Sequence, residues 1–235
     1  MPKIKIFLDS ASPEEIINFY EKNKKLIAGF TTNPTLMRNA GIKNYLGFVL
    51  DLVKEIKDLP ISFEVFADDI DLMKKQAITL ASIASNIAVK IPITNTVGTN
   101  TSSLISELNA EGILCNVTAL MTLDQVKKIV EPLESKNPLL ISIFAGRIAD
   151  TGRNPEPILA SICEYVKPFS NISIIWASTR ELINIFQAEK VGCNIITVTE
   201  PLLRKMQFIG KDLDNLSLET VKMFHHDAKL SGYTI

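Results

Sequence analysis

Short runs rich in isoleucine, valine and phenylalanine alternate with longer amphipathic segments along the chain, and this alternation constrains its fold most. Short apolar runs are typical of strands buried on both faces of a sheet, whereas the segments between them have helical spacing. The predicted strands are residues 4–9, 27–32, 61–66, 87–92, 113–118, 139–144, 172–177 and 194–198. Eight strands, each followed by a helix, in 235 residues predict an α/β protein with the (β/α)8 or TIM barrel fold.

The competing arrangement is an open, doubly wound parallel sheet. It predicts a glycine-rich turn after the first strand, but residues 9–13 read Asp-Ser-Ala-Ser-Pro and contain no glycine. Ser12, followed by Pro13 and Glu15, predicts a helix start with a capping box. The sequence therefore favours the closed barrel.

One domain is predicted over residues 1–235, because no linker rich in glycine, serine or proline interrupts the alternation. Residues 216–235 form a C-terminal tail with apolar residues at helical spacing, and a barrel does not need this extra helix. The sequence allows two roles for it. The helix either caps one end of the barrel or packs on a neighbouring subunit.

The composition argues against several classes of protein. A formal net charge of −1 provides no basic surface for nucleic acid or membrane, and no run approaches the roughly 20 apolar residues of a membrane span. Cys115, Cys163 and Cys193 are isolated and lack Cys-x-x-Cys spacing, so they suggest neither a disulfide framework nor a zinc site. The N-terminal apolar run is too short for a signal peptide, and we expect a soluble cytoplasmic protein.

Lys90 is the residue that most strongly suggests chemistry, because it lies within the apolar run of residues 87–92. Burial disfavours a charged ammonium group, and a neutral amine is the form that adds to a carbonyl and forms a Schiff base. The alternative is a lysine at a strand end whose ammonium group extends to solvent.

Polar residues recur at the predicted carboxyl ends of the strands, where barrel enzymes place their catalytic groups. Buried polar groups are costly unless they are paired, so a ring of them indicates a polar site rather than a packed layer. The ring consists of Asp9, Thr32, Asn33, Glu64, Lys90, Asn116, Thr118, Ser142 and Ser178, with Arg147 and Arg180 after strands 6 and 7.

Several of these residues have simpler interpretations. Asp9 could cap the turn that follows it, residues 31–34 could form a turn and a helix start, and both arginines could pair with surface acids. Glu64 is harder to explain in this way, because it stands in an aromatic and β-branched strand. The arginines also follow strands close to the region where barrels often bind phosphate.

The only histidines, His225 and His226, lie in the tail. Proton transfer in the barrel therefore falls to carboxylates, and Asp9 and Glu64 are the candidates. The sequence contains neither a glycine-rich nucleotide loop nor a His/Cys cluster for zinc. A lysine, two carboxylates, hydroxyl and amide donors and two arginines suit a Schiff-base aldol reaction on a phosphorylated ketose, with no metal and no cofactor.

Seven motifs follow one another along the predicted strands: residues 7–10 (Phe-Leu-Asp-Ser), 29–35 (Gly-Phe-Thr-Thr-Asn-Pro-Thr), 63–65 (Phe-Glu-Val), 89–92 (Val-Lys-Ile-Pro), 110–118 (Ala-Glu-Gly-Ile-Leu-Cys-Asn-Val-Thr), 142–147 (Ser-Ile-Phe-Ala-Gly-Arg) and 177–180 (Ala-Ser-Thr-Arg). In their order and spacing they resemble the transaldolase family, most closely its short, single-barrel subfamily, which is related to fructose 6-phosphate aldolase.

The resemblance implies a role for each residue of the ring and for Phe144. Lys90 would form the Schiff base, Asp9 would act on the C4 hydroxyl as the C3–C4 bond breaks, and Glu64 with Thr118 would hold a proton-carrying water. The remaining residues would bind the substrate, whose phosphate would lie against the last three: Thr32, Asn33, Asn116, Ser142, Phe144, Arg147, Ser178 and Arg180.

The implied reaction moves a dihydroxyacetone unit from fructose 6-phosphate or sedoheptulose 7-phosphate to an aldose phosphate, as in the pentose phosphate pathway. The resemblance also implies a homo-oligomer, a pentamer or a decamer. The related aldolases release free dihydroxyacetone and carry Gln in place of Glu64 and Tyr in place of Phe144, so these two residues favour transaldolase. Ile143 replaces the family's proline, and Met121-Thr122 its usual Phe-Ser, which leaves the acceptor and the pathway open.

Three hypotheses therefore follow from the sequence. The first is a transaldolase, and the second is an aldolase or transaldolase-like enzyme of a dedicated sugar pathway. The third is a barrel that binds a sugar phosphate without catalysis.

Overall fold

The computed structural model describes residues 2–233, and its eight strands form one closed parallel barrel in chain order. The strands are β1 (Lys5–Asp9), β2 (Ile27–Thr31), β3 (Ile61–Glu64), β4 (Ile87–Pro92), β5 (Cys115–Leu120), β6 (Leu139–Phe144), β7 (Ile172–Ala177) and β8 (Ile195–Val198). The predicted (β/α)8 barrel is confirmed, and an open sheet is excluded because β1 pairs with β8.

Helices follow the strands and cover the outside of the barrel. They are α1 (Pro13–Lys22), α2 (Pro34–Asn39), α3 (Tyr45–Glu55), α4 (Ile70–Ile83), α5 (Ser102–Ala110), α6 (Leu123–Val130), α7 (Ala145–Ala149), α8 (Glu156–Val166), α9 (Ile183–Lys190), α10 (Glu200–Arg204) and α11 (Leu213–Ser231), with a 3-10 helix at Lys205–Phe208. Within residues 2–233, no helix is both long enough and apolar enough to cross a membrane.

The start of α1 differs from the predicted capping box. The Ser12 side chain accepts a hydrogen bond from the Glu15 backbone N–H, as predicted. The Glu15 carboxylate, however, accepts from the Ser10 hydroxyl at 2.5 Å, and Ser10 Oγ accepts from the Ser12 N–H. A nearby hydroxyl has therefore replaced the reciprocal half of the box.

Two apolar clusters lie on the two sides of the barrel wall. Because side chains alternate along a strand, one set of residues packs against the helices and the other fills the barrel interior. The interior cluster consists of Phe7, Ala88, Leu140, Ile175, Ala177 and Ile195. Gly29 belongs to this inner surface. A Cβ added there would lie 2.6 Å from the Phe7 ring, so only glycine leaves room for the ring in its present position.

The tail is helical, as predicted, and forms α11. None of the residues Leu213–Ser231 is buried, and the helix ends at Gly232, which adopts the left-handed conformation that favours glycine. The predicted tail also includes residues 234 and 235, which lie outside the described residues.

Candidate active site

A polar layer lies directly above the apolar interior, toward the carboxyl ends of the strands. Asp9 follows Phe7, Lys90 follows Ala88, and Ser142 follows Leu140, each two residues further along its strand and therefore on the same inner face. The layer faces a cavity of about 430 Å³. Nine of the residues predicted from the sequence line this cavity: Asp9, Asn33, Glu64, Lys90, Ser142, Phe144, Arg147, Ser178 and Arg180.

Lys90 and Glu64 form an ion pair at the wall of the cavity. They are paired residues in the register between β3 and β4, and Lys90 Nζ lies 3.2 Å from Glu64 Oε2. Lys90 is 7% exposed, and its Nζ also donates to the Thr32 backbone carbonyl at 2.6 Å. The predicted burial of this lysine is therefore confirmed, and its amine is held between a carboxylate and a fixed carbonyl.

Asp9 accepts two hydrogen bonds at the end of β1. Its carboxylate accepts from Thr31 Oγ1 at 2.8 Å and from Asn33 Nδ2 at 3.3 Å. Thr31 has one hydroxyl proton and gives it to Asp9, so Thr197 is the donor in the 2.5 Å contact between the two threonine hydroxyls. Side chains from β2 and the start of α2 thus fix the carboxylate, and Thr197 of β8 holds the Thr31 hydroxyl in turn.

Burial raises the pKa of the Asp9 carboxyl above its ordinary value of 3.8. The positive charge of Lys90 and the hydrogen bonds from Thr31 and Asn33 oppose this effect but do not cancel it. A carboxylate whose pKa is raised in this way is a better proton acceptor than a free aspartate.

Asn116 and Ser142, on the neighbouring strands β5 and β6, belong to one hydrogen-bond chain. Asn116 pairs in register with Lys90, and its amide donates to Ser62 Oγ at 3.0 Å. Ser142 Oγ donates to Asn116 Oδ1 at 2.8 Å. Because each member is held by its neighbour, the chain fixes the Ser142 side chain at the cavity wall.

Arg147 and Arg180 follow β6 and β7 and line the side of the cavity away from Glu64 on β3. The Arg147 guanidinium lies over the Phe144 ring, 5.9 Å from its centre. Arg180 donates from Nε and Nη2 to the two oxygens of Asp150, at 3.3 and 2.7 Å. One edge of its guanidinium is therefore held by Asp150, and this places the Arg180 side chain at the cavity wall.

Ser178 has an unusual backbone conformation beside these arginines. Its φ is 62°, in the left-handed region that a non-glycine residue seldom adopts. The Ser178 carbonyl lies against Gly146, where a Cβ would be 1.7 Å from the oxygen. Gly146 is therefore required for the turn after β7 to pack on the start of α7.

Three residues of the predicted ring do not line the cavity: Thr32, Thr118 and Asn116, whose side chain is instead hydrogen-bonded to Ser62 and Ser142. The Thr31 side chain, not that of Thr32, lines the cavity, because neighbouring residues of a strand point to opposite sides. Thr32 is fully buried, and its hydroxyl donates to the Ser62 carbonyl. Thr118 is buried next to Pro92 in the β4–β5 register and is not part of the cavity lining.

Some simpler interpretations also hold. Asn33 caps α2 through its side-chain oxygen while its amide contacts Asp9, and Arg180 does pair with an acid.

The sequence did not predict four residues that contact the site: Thr31, Thr197, Asp150 and Tyr45. The Tyr45 hydroxyl donates to the Glu64 backbone carbonyl at 2.8 Å. The helical position of Tyr45 in α3 gave no signal for this contact.

Solved structures share the fold at low sequence identity. A putative phosphonomutase from Burkholderia cenocepacia J2315 matches with a TM-score of 0.59 at 10% identity, covering 91% of this chain and 93% of that chain. A dihydrodipicolinate synthase from Rhodopseudomonas palustris matches with a TM-score of 0.56 at 12% identity, covering 83% and 69%. At such identities the likeness concerns the fold alone.

Sequence comparison gives a more specific result. Residues 6–234 match the family described as Transaldolase/Fructose-6-phosphate aldolase. A probable transaldolase of Thermoanaerobacter sp. (strain X514) is 33% identical over 221 residues, 93% of this chain and 95% of that protein. A probable transaldolase of Bartonella tribocorum is 31% identical over 236 residues, 99% of this chain and 100% of that protein. This chain therefore belongs to the transaldolase/fructose-6-phosphate aldolase family.

Proposed function

We propose that the protein is a transaldolase that transfers a dihydroxyacetone unit from a ketose phosphate to an aldose phosphate through a Schiff base on Lys90. The observation that carries this proposal is the buried amine of Lys90, which lies 3.2 Å from Glu64 Oε2 and faces a cavity that also contains two arginines. Among residues 2–233, no other lysine lines that cavity.

Schiff-base formation requires protons to move between nitrogen and oxygen. Lys90 Nζ adds to the C2 carbonyl of the ketose, the nitrogen loses a proton, and the hydroxyl formed at C2 leaves as water. Glu64 Oε2 is close enough to accept the first proton and to return it to the departing oxygen. The hydrogen bond to the Thr32 carbonyl fixes the amine during this exchange.

Cleavage of the C3–C4 bond requires a base at the C4 hydroxyl. Asp9 lines the same cavity as Lys90, and Thr31 and Asn33 hold its carboxylate in place. Asp9 takes the hydroxyl proton as the bond breaks, the aldehyde leaves, and the electron pair moves into the enamine on Lys90. The reverse sequence joins this enamine to an acceptor aldehyde, and hydrolysis of the final imine releases the new ketose.

The phosphate end of the substrate is assigned to Arg147 and Arg180. Both line the cavity on the side away from Glu64, and guanidinium groups bind phosphate in a planar, bidentate manner. Phe144 lines the same cavity as Lys90 and lies against the Arg147 guanidinium, and its ring offers no hydrogen bond to a water near the enamine. An enamine protected from water in this way is captured by an aldehyde rather than protonated, which supports transfer over simple aldol cleavage.

Two experiments test the proposal. Borohydride reduction in the presence of fructose 6-phosphate should attach the three-carbon unit to Lys90, as peptide mass spectrometry would show. Lys90→Met should give no adduct, whereas Lys75→Met, at an exposed lysine of α4, should behave as wild type. An adduct on a different lysine, or none, contradicts the Schiff-base assignment.

The second experiment separates transfer from cleavage. Consumption of fructose 6-phosphate and release of free dihydroxyacetone are both measured, with and without erythrose 4-phosphate as acceptor. A transaldolase converts the donor quickly only when the acceptor is present. Equal release of dihydroxyacetone in both reactions would instead identify a fructose 6-phosphate aldolase.

A further inference from the structure

Two cysteines that are separated in sequence meet at the end of the barrel opposite the candidate active site. Cys163 lies in the last turns of α8, just before the start of β7, and Cys193 directly precedes β8. Both positions belong to the amino-terminal ends of the strands. Their sulfur atoms are 3.9 Å apart.

The two thiols differ in their access to solvent. Cys163 is half-buried and opens into a cavity of about 380 Å³, whose lining includes Lys167 and Phe169. Cys193 is buried and does not contribute to that lining. The cavity therefore borders Cys163 and not Cys193.

The backbone immediately before Cys193 passes close to Cys163. Gly192 has a φ of +92°, and a Cβ added there would lie 3.5 Å from Cys163 Cβ. The chain leaving α9 therefore passes directly against Cys163. For a disulfide, the sulfurs must approach by about 2 Å.

We propose that Cys163 and Cys193 are a reversible redox pair that reacts with peroxides to form an intramolecular disulfide. The Cys163 thiolate attacks one peroxide oxygen, the O–O bond breaks, and a sulfenic acid forms with release of water or alcohol. Cys193 then attacks the Cys163 sulfur, the S–O bond breaks, water leaves, and the disulfide forms. The peroxide gains the two electrons that the thiols lose, and an external thiol reverses the reaction.

The electrostatics of the pair support this division of roles. A hydrogen bond from Cys193 lowers the pKa of the Cys163 thiol, and donation of that same bond, together with burial, raises the pKa of Cys193. The thiolate is the reactive form, so Cys163 is the first to be oxidised. Cys115 provides an internal control, because burial raises its pKa to about 12 and it is fully enclosed in β5.

The test treats the purified full-length protein with one equivalent of hydrogen peroxide under denaturant-free conditions. We expect the intact mass to fall by two hydrogen atoms. Tryptic cleavage after Arg180 and Lys190 separates the two cysteines, so a dithiothreitol-sensitive link between their peptides should appear, with Cys115 still alkylatable. Wild-type protein that keeps three free thiols, or that forms only links between chains, overturns the proposal.

Two variants distinguish the roles of the cysteines. Cys193→Ser should accumulate a sulfenic acid at Cys163 that dimedone traps, whereas Cys163→Ser should leave Cys193 unmodified. Equal dimedone labelling of wild type and Cys193→Ser shows that Cys193 does not resolve the sulfenic acid and contradicts the proposal. None of these readouts depends on sugar substrates, so the result is independent of the proposed function.

Discussion

Lys90 and Asp9 are held away from water, and the surrounding side chains offset the cost of burying them. Lys90 has the Glu64 carboxylate and the Thr32 carbonyl, and Asp9 has Thr31 and Asn33. Removing one member of a buried pair leaves the other uncompensated, which costs more than the pair contributes. Conservative variants that keep shape and hydrogen bonding are therefore the informative ones at this site.

Asp9 should produce the acidic limb of the pH profile. Burial raises its pKa above 3.8, so activity should fall as the pH falls through that raised value and Asp9 becomes protonated. Asp9→Asn should lower kcat by about 10²–10⁴-fold and remove this limb, while still forming the borohydride adduct. Steady-state kinetics across the acidic range check this.

Asp51→Asn, at an exposed position of α3, is the matched control and should keep the wild-type profile. Stability provides a second readout. Between the ordinary and the raised pKa the folded state binds more protons than the unfolded state, so stability falls as the pH rises through that window. Asp9→Asn should remove this fall. A limb that persists in Asp9→Asn would show that another group carries the proton.

Arg180 should determine the preference for phosphorylated ketoses. Loss of its charged hydrogen bonds should raise the KM for fructose 6-phosphate by about 10- to 100-fold in Arg180→Ala. Activity on unphosphorylated fructose or dihydroxyacetone should change little. Arg153→Ala is the control, because this exposed arginine donates to Thr151 and does not line the cavity. Equal losses on both substrate classes would indicate a structural role for Arg180.

Phe144 should determine the fate of the enamine. A hydroxyl at this position can hold a water near the enamine carbon, which favours protonation over capture by an aldehyde. Phe144→Tyr should therefore raise dihydroxyacetone release from fructose 6-phosphate and lower transfer to erythrose 4-phosphate. Parallel product assays on both activities check this, and an unchanged ratio of release to transfer would exclude Phe144 as the determinant.

The residue types of the site were predictable from the sequence, but the side chains that support them were not. A lysine and two carboxylates at strand ends are visible in the sequence, whereas the choice between Thr31 and Thr32 depends on the last residue of β2. A shift of one residue reverses which side chain enters the barrel. Asp150 and Tyr45 reach the site from helices and turns whose tertiary packing no local pattern specifies.

At the scale of the elements, α7 and the turn after β7 are joined by one close contact. In Gly146→Ala the new Cβ would lie 1.7 Å from the Ser178 carbonyl, and backbone atoms cannot avoid it as a flexible side chain could. We expect a loss of about 1–3 kcal/mol in the free energy of unfolding. Because Ser178 and Arg180 move with this turn, the KM for phosphorylated ketoses should also rise.

Thermal unfolding and steady-state kinetics measure these two effects. Gly152→Ala is the control, because its φ of +77° is unfavourable for alanine but no atom lies within 4 Å of the added Cβ. It should lose some stability and keep the wild-type KM. A stable Gly146→Ala protein with unchanged KM would show that the turn tolerates the displacement.

Strand positions were predicted within two residues, and the deviations have local causes. Residues 65 and 66 were assigned to the third strand, but β3 ends at Glu64, and the Phe66 N–H donates to the Gln76 side chain instead of to a strand. In β5 the register shifts between Val117 and Leu120, with Ala119 in the left-handed region. Alternation of residue types gives no signal for such an irregularity.

At the scale of the whole molecule, closure of the barrel followed from the number of strands and the connections between them. Eight parallel strands with intervening helices leave few other arrangements. The meeting of Cys163 and Cys193 had no such signal, because their proximity depends on how α8 and the end of α9 pack. The position of α11 was also open, since apolar spacing predicts a helix but not what covers its apolar face.

The exposed face of α11 should make the protein a homo-oligomer. Its large apolar side chains include Leu216, Val221, Met223 and Phe224, and Phe224 is 62% exposed. At helical spacing, these residues form a stripe along a helix of 19 residues, about 28 Å long, that is unburied in the single chain. Helices of this length are marginal in water unless their apolar face packs on something, and exposed apolar patches mark interaction sites.

Sedimentation velocity over a range of protein concentrations checks this prediction. Wild type should sediment as an oligomer, and Val221→Lys or Phe224→Lys should shift the distribution toward the monomer, because each places a charge on the apolar stripe. Asn215→Lys, on the opposite side of the same helix, introduces the same residue at an exposed position and should leave the oligomer intact. A wild-type chain that sediments as a monomer at every concentration would mean that α11 keeps its apolar face in water, and the loss of its helical signal on mild heating would then precede unfolding of the barrel.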